Sequence, residues 1–88
     1  MDQPSTVILR VKVSEYRKIV VDVSDGKRYY SDLSPMAFVF CFPKNASEWG
    51  LVAPANGGDA LKWQSGFEAH IDQIIGYATR IEDSPKSA

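Results

Sequence analysis

Residues 19–35 read IVVDVSDGKRYYSDLSP, and this stretch decides the fold. β-Branched residues alternate before Asp25 and Gly26, a pair that favours a tight turn because glycine tolerates positive φ, and an extended pattern resumes after it. Ser34 followed by Pro35 is typical of a helix start, with serine as the N-cap and proline at the first helical position. The stretch therefore predicts an antiparallel hairpin that leads into a helix.

The sequence on either side of this hairpin predicts further strands. Residues 7–13 alternate between two faces, and the link to the next strand is short and polar, so the two strands should pair antiparallel. The face that we expect to point into the core carries four residues, Val7, Leu9, Val11 and Val13. Residues 51–53 and 60–63 predict a second, shorter pair of strands.

Three segments have patterns that bear on helices. Residues 45–49, NASEW, predict a capped single turn, and residues 36–42, MAFVFCF, read equally as a buried helical turn or a strand. The cap before residues 36–42 favours a short helix there. In residues 67–80 apolar side chains recur at helical spacing. The predicted fold class is α+β, a small antiparallel β-sheet arranged as a hairpin or meander, with short helices and a C-terminal amphipathic helix.

Length and charge limit the class of protein. The chain has 88 residues, which predicts a single domain over residues 1–88, with residues 1–5 and 82–88 flexible. Its 10 Lys and Arg against 11 Asp and Glu give a net charge of -1, so we expect no general attraction to nucleic acid or to a membrane. The single cysteine, Cys41, excludes an internal disulfide. Together with an N-terminal sequence unlike a secretory signal, it favours the cytoplasm.

Several segments, taken in order, resemble a family of small bacterial proteins, domain of unknown function 2442. The matching segments are VVDVSDGKRYYSDLSP, ASEW and GGDALKW followed by QSG, and the resemblance covers residues 8–66. It implies a small α+β domain with an antiparallel sheet. It also implies an antitoxin-like partner protein, because members of that family are suspected of being the partner half of toxin–antitoxin pairs. No catalytic residue is carried over.

Few residues have the chemistry of a catalytic or metal site. Cys41 and His70 could supply a nucleophile and a base, but a cysteine among phenylalanines is typical of a small buried hydrophobe. His70 with Glu68 and Asp72 offers too few nitrogen and sulfur ligands for a firmly held ion. The sequence therefore predicts no catalytic residue, no metal site and no cofactor.

Aromatic residues are more numerous than one face of a small sheet can cover. The chain has 2 Trp, 4 Tyr and 4 Phe, and Tyr29 and Tyr30 are adjacent, which places them on opposite faces of one strand. Tyr29, Tyr30 and Trp49 are the residues that we expect at a contact with another protein or a second copy. The predicted function is that of a non-catalytic protein-interaction or regulatory module.

Two alternatives to this function stay open at the level of sequence. One is a nucleic-acid-binding regulator that uses basic residues at hairpin tips, namely Arg17, Lys18, Lys27 and Arg28. The other is a small enzyme that uses Cys41 and His70.

Overall fold

The computed structural model describes residues 6–83, which form seven strands, two short α-helices and two 3-10 turns. The strands are β1 (Ile8–Glu15), β2 (Lys18–Val23), β3 (Lys27–Asp32), β4 (Val52–Ala55), β5 (Ala60–Trp63), β6 (Glu68–His70) and β7 (Ala78–Asp83). The helices are α1 (Ala46–Trp49) and α2 (Ile71–Gly76), and the 3-10 turns are Ser34–Met36 and Asn56–Gly58.

The strands are arranged in two antiparallel sheets. The first sheet has the strand order β1-β2-β3-β7, and the second has the order β4-β5-β6. This arrangement confirms the α+β class with antiparallel pairing. The strands are divided between two sheets, whereas the sequence led us to expect one.

The turn between β2 and β3 is the one that the sequence predicts. Gly26 has φ +90°, and its amide donates a hydrogen bond of 3.1 Å to the carbonyl of Val23. The amide of Lys27 donates to Oδ1 of Asp25 at 3.0 Å. This turn sets the register in which Asp22 lies opposite Arg28.

A β-bulge in β1 reverses part of the predicted alternation. Ile8 pairs with Val23 but Arg10 pairs with Asp22, so Leu9 is an extra residue in the strand. Ile8 is consequently buried, and Leu9 is 58% exposed. The prediction that Leu9 points into the core is wrong, because the bulge shifts the strand by one residue at that point.

The predicted C-terminal helix over residues 67–80 is reduced to α2. Residues on its N-terminal side form β6, and those on its C-terminal side form β7, which pairs with β3. The apolar spacing that indicates one helix is equally compatible with the succession β6, α2 and β7. In that succession Ala69, Ile71 and Ile74 are all buried. The backbone of β3 offers hydrogen-bond partners that local sequence does not reveal. Glu82 and Asp83, predicted to be flexible, belong to β7; residues 1–5 and 84–88 lie outside the described residues.

The short helix predicted for residues 36–42 is also absent beyond the 3-10 turn Ser34–Met36. The residue at the start of this turn is Leu33, and Oδ1 of Asp32 accepts a hydrogen bond from the amide of Ser34 at 2.9 Å. Farther along, Cys41 has φ +77°, a left-handed conformation that a right-handed helix does not contain. The single turn predicted at residues 45–49 is confirmed as α1, with Oδ1 of Asn45 accepting from the amide of Glu48.

The core joins the two sheets through a cluster of aromatic rings in tilted contact. Trp49 of α1 lies against Trp63 of β5, with ring centroids 4.8 Å apart. Nε1 of Trp63 donates to the carbonyl of Trp49 at 2.9 Å, and Nε1 of Trp49 donates to the carbonyl of Lys18 at 3.2 Å. Phe42 and Phe67 complete the cluster. Both indole N–H groups are thus satisfied within the core, as buried polar groups require.

We expect Gly26→Ala to lower the free energy of unfolding by about 1 kcal/mol, because a Cβ is unfavourable at φ +90°. A Cβ at this position would meet no atom within 4 Å, so the cost arises from the backbone alone. Gly76→Ala is the matched control, because Gly76 also faces open space but lies within α2. Urea unfolding should show equal or greater stability for that control. Equal loss in both variants would contradict the role given to the turn.

Candidate functional site

A short loop carries the two most exposed large apolar side chains among the described residues. We call residues 37–41 the apolar loop. Within it Phe38 is 96% exposed, Phe40 is 90% exposed, and Val39 is also exposed. Single apolar residues at a surface are ordinary, but two almost fully exposed phenylalanines in one loop are not. This loop is therefore the candidate functional site.

The apolar loop is held at both ends by buried residues. Met36 precedes it and is buried, and Phe42 and Pro43 follow it and are buried. The ring of Phe42 lies 4.9 Å from that of Phe67 and 5.6 Å from that of Trp49. The aromatic core thus fixes the two points between which Phe38 and Phe40 project.

Backbone hydrogen bonds give the loop a defined course. The amide of Val39 donates to the carbonyl of Met36 at 3.0 Å, and the amide of Phe42 donates to the carbonyl of Val39 at 3.1 Å. From the neighbouring turn, Oγ of Ser65 donates to the carbonyl of Cys41 at 2.8 Å. The loop is therefore formed by two successive turns and tied to the second sheet.

Two clefts flank the apolar loop. The first, which we call the basic cleft, has a volume of about 330 Å³ and lies between the loop and the turn that joins β1 to β2. Arg17, Val39 and Lys44 are among its lining residues. The second cleft, of about 470 Å³, lies on the other side and is lined in part by Phe40 and Leu51. A partner that covers the two phenylalanines would reach both clefts.

Cys41 lies in this loop and is exposed. The prediction that it is a small buried hydrophobe is wrong, because its left-handed backbone turns the chain outward between the exposed Phe40 and the buried Phe42. His70 lies at the start of α2, and within residues 6–83 no hydrogen bond joins it to Cys41. The arrangement gives the enzyme alternative no support.

The aromatic residues that the sequence assigns to an interaction surface lie elsewhere. Trp49 and Tyr29 are buried in the core, and Tyr30 is half-buried on the outer face of the first sheet. Phe38 and Phe40 were missed because residues 36–42 were interpreted as one buried apolar run, whereas only Phe42 of its three phenylalanines is buried. The one sequence signal that pointed to them is the excess of aromatic residues over what the core can hold.

The outer face of the first sheet is a network of paired charges. Arg28 donates from Nε to Oδ1 of Asp22 at 2.7 Å, and Arg10 lies 3.6 Å from the same carboxylate. This hydrogen bond from Arg28 lowers the pKa of Asp22 below its usual value, and it raises that of Arg28. Across the sheet the guanidinium of Arg80 lies 4.1 Å from the ring centroid of Tyr30. Its Nε is 3.2 Å from Oε2 of Glu82.

The four basic residues proposed for nucleic-acid binding do not meet. Lys18 is the first residue of β2 and Arg17 lies just before it, while Lys27 and Arg28 lie on β3 beside the other end of β2. Asp22, the residue opposite Arg28, lies four positions after Lys18 on β2, a distance of about 13 Å at the rise of a β-strand. Lys18 is in addition paired with Glu15 at 3.1 Å. The four basic residues named in the nucleic-acid-binding alternative therefore do not form one cluster.

Over residues 6–83, no group of three or more His, Cys, Asp or Glu side chains is placed to hold a metal ion. Within the same range no helix combines the length and the apolar character needed to cross a membrane.

Comparison of the chain with protein-family models, with curated proteins and with solved structures found no match. The resemblance to domain of unknown function 2442 consequently stays a prediction, and the function must be argued from the site itself.

We expect the thiol of Cys41 to react with Ellman's reagent in the native protein nearly as fast as in urea, because the residue is exposed. The reacted protein should retain its near-ultraviolet circular dichroism, since the thiol supports no core contact. Protection of the thiol until the chain unfolds would contradict the course of the loop described above.

We expect stability to decrease as the pH falls below about 5, because the pKa values of Asp22 and Asp32 are lower in the folded chain than in the unfolded chain. For Asp32 the causes are hydrogen bonds from Ser34. For each of these carboxyl groups, at a pH between its folded and its unfolded pKa, the unfolded chain binds more protons than the folded chain. Acid therefore favours unfolding, and this contribution to stability is fully present at neutral pH. Urea unfolding at a series of pH values measures this slope.

Asp22→Asn should make the slope shallower, because it removes one of the two carboxylates. Asp72→Asn is the control, since Asp72 is an exposed carboxylate of α2 with no ion pair in the described chain. The slope of the control should match that of the unaltered protein. An unchanged slope in Asp22→Asn would contradict the contribution of Asp22 to the pH dependence of stability.

Proposed function

We propose that this chain is a non-catalytic protein-interaction module, and that it binds by inserting Phe38 and Phe40 into an apolar pocket of a partner. The observation that carries the proposal is the exposure of these two side chains, 96% and 90%. Burying a phenylalanine side chain stabilises a complex by about 1.5–3 kcal/mol. The free protein forgoes this stabilisation at both positions.

The order of the loop supports the same proposal. Binding is weakened when a loop must be immobilised, and it is strengthened when the bound shape exists beforehand. Met36 and Phe42 are buried on either side of the loop, and turn hydrogen bonds link each of them to Val39. Little further ordering is then needed when the two phenylalanines enter a pocket.

The size of the loop indicates the kind of complex. Two buried phenylalanines account for roughly 300–500 Å² of surface, whereas a stable interface buries about 800 Å² on each partner. The loop can therefore be the centre of an interface but not the whole of it. The flanking clefts and Leu51, which is also exposed, are the surfaces available to complete it.

A regulatory role in which the chain blocks a partner protein is also part of the proposal. The resemblance described above implies a regulatory, antitoxin-like protein that occupies and blocks its partner in the cytoplasm. A rigid apolar projection suits such a role, because it can fill a pocket of the partner without any chemical step.

We expect the double variant Phe38→Ser, Phe40→Ser to fold with unchanged or slightly greater stability and to lose partner binding, because both side chains leave only exposed surface. The measurement is affinity capture from an extract of the source cells, quantified by mass spectrometry, together with sedimentation of the purified chain to detect a second copy. The double variant should lose the complex that the unaltered protein forms, whether with a partner protein or with a second copy.

Leu9→Ser is the matched control, since Leu9 is an exposed apolar side chain on β1 and lines neither cleft beside the apolar loop. It should retain every partner of the unaltered protein. Capture of the same partners by the double variant would contradict the proposed function.

A further inference from the structure

The basic cleft has a lining of unusual composition. Two of its residues, Arg17 and Lys44, are cationic, and none of the residues that line it is acidic. The remainder of the lining is largely apolar and includes Val39 of the apolar loop. Elsewhere on the first sheet, by contrast, arginines are paired with carboxylates, as Arg28 is with Asp22.

The guanidinium of Arg17 is held in place without a counter-ion. It lies 4.9 Å from the ring centroid of Tyr16 and 5.8 Å from that of Phe42. Its Nε is buried and has no hydrogen-bond partner among the described residues. A desolvated donor without an acceptor is costly, and few such groups occur in native proteins. A ligand carboxylate in the cleft would offset this cost by compensating the charge of the guanidinium, without a bond to the buried Nε itself.

The pKa of Asp32 is lowered chiefly by hydrogen bonds from Ser34 and also by the nearby charge of Arg17. Its Oδ1 accepts a hydrogen bond from the amide of Ser34, and it is not among the residues that line the cleft. No ion pair joins Asp32 to Arg17 in the part of the chain that the structure describes. Arg17 therefore attracts Asp32 without an ion pair and has no bonded carboxylate among the described residues.

The backbone on both sides of the cleft is strained. Arg17 has φ +72° and Cys41 has φ +77°, and both line the cleft. Arg17 stands directly before β2, in the position that Gly26 occupies before β3. A glycine would fit the first turn at lower backbone cost, whereas the arginine brings a guanidinium against the rings of Tyr16 and Phe42. Strained residues of this kind are concentrated at functional sites.

Together these observations lead beyond the bare proposal of protein binding. We propose that the partner contributes an acidic apolar segment, in which an Asp or Glu carboxylate binds Arg17 and Lys44 in the basic cleft while a neighbouring apolar side chain contacts Val39. This inference rests on the proposed function, because the same segment would approach the apolar loop.

The chemistry of the cleft favours a peptide carboxylate over a phosphate polymer or an anionic membrane. Arginine presents a planar fork that matches a carboxylate, and the apolar lining suits the side chain beside it. A polyanion would require a broad field of unpaired positive charge. The chain has a net charge of -1, and the arginines of the outer face are already paired.

The test uses three short synthetic peptides as probes, one alternating leucine with aspartate, one leucine with lysine and one serine with aspartate. Fluorescence anisotropy with the purified full chain should show the tightest binding for the leucine-aspartate peptide, weakened by added salt. Arg17→Gly should weaken this binding about tenfold, the loss expected for one charge-assisted hydrogen bond. Glycine fits the left-handed position, so the variant should fold.

Control variants separate the possible outcomes. Lys62→Ala removes an exposed charge that does not line the basic cleft, and it should leave the affinity unchanged. Lys44→Ala should weaken binding as a second, independent variant. If binding depends on Phe38 and Phe40 but not on Arg17, this inference is overturned while the proposed function stands.

The converse outcomes are equally distinct. Binding that depends on Arg17 but survives the Phe38→Ser, Phe40→Ser variant supports the carboxylate site and overturns the proposed function. Equal affinity for the aspartate and lysine peptides overturns the inference. Binding to vesicles of phosphatidylcholine with phosphatidylserine, without binding to any peptide, overturns both.

Discussion

The contact of Trp63 with Trp49, with a hydrogen bond from the indole of Trp63 to the carbonyl of Trp49, is the interaction on which the rest of the structure depends. Trp63 belongs to the second sheet and Trp49 to α1, and the indole of Trp49 donates in turn to the carbonyl of Lys18 in the first sheet. One pair of side chains thus connects three elements that are distant in sequence. A chain of this length buries only about 60% of its unfolded surface, so a few large aromatic residues must supply much of its stability.

The same cluster determines which aromatic residues stay outside. Phe42 and Phe67 fill the space around the two indoles, and Pro43 is buried beside them. Because Met36 is also buried, the chain between these anchors must leave the core and return. Phe38 and Phe40 lie on that excursion. Their exposure follows from a packed core, and the proposed binding function is a consequence of how that core is built.

The sequence predicts the parts of the fold that depend on local chemistry. The turn at Gly26 and the cap at Asn45 were predicted correctly, because positive φ and a side-chain acceptor are properties of single residues. The bulge at Leu9 could not be predicted, since it arises from pairing with β2. Nor could β7, whose backbone partners lie on β3.

The candidate site was less accessible to sequence than the fold. Trp49 was assigned to a surface because aromatic residues exceeded the expected core, yet the second sheet creates additional core that buries it. The chain does have more aromatic side chains than the core holds, but the most exposed ones are Phe38 and Phe40. Cys41 was assigned to the core because its neighbours in the sequence are phenylalanines, and it is exposed. Composition revealed that some aromatic side chains must be exposed, and only tertiary structure identifies them.

The central claim is that one loop exposes two phenylalanines while the core retains the other two, and fluorine NMR tests it directly. The chain contains 4 Phe, so protein labelled with 4-fluorophenylalanine gives one resonance for each, assigned by single substitution. With a soluble gadolinium chelate in the sample, we predict strong broadening at Phe38 and Phe40 and sharp signals at Phe42 and Phe67. Protection of all four resonances, or broadening of Phe42, would contradict the account.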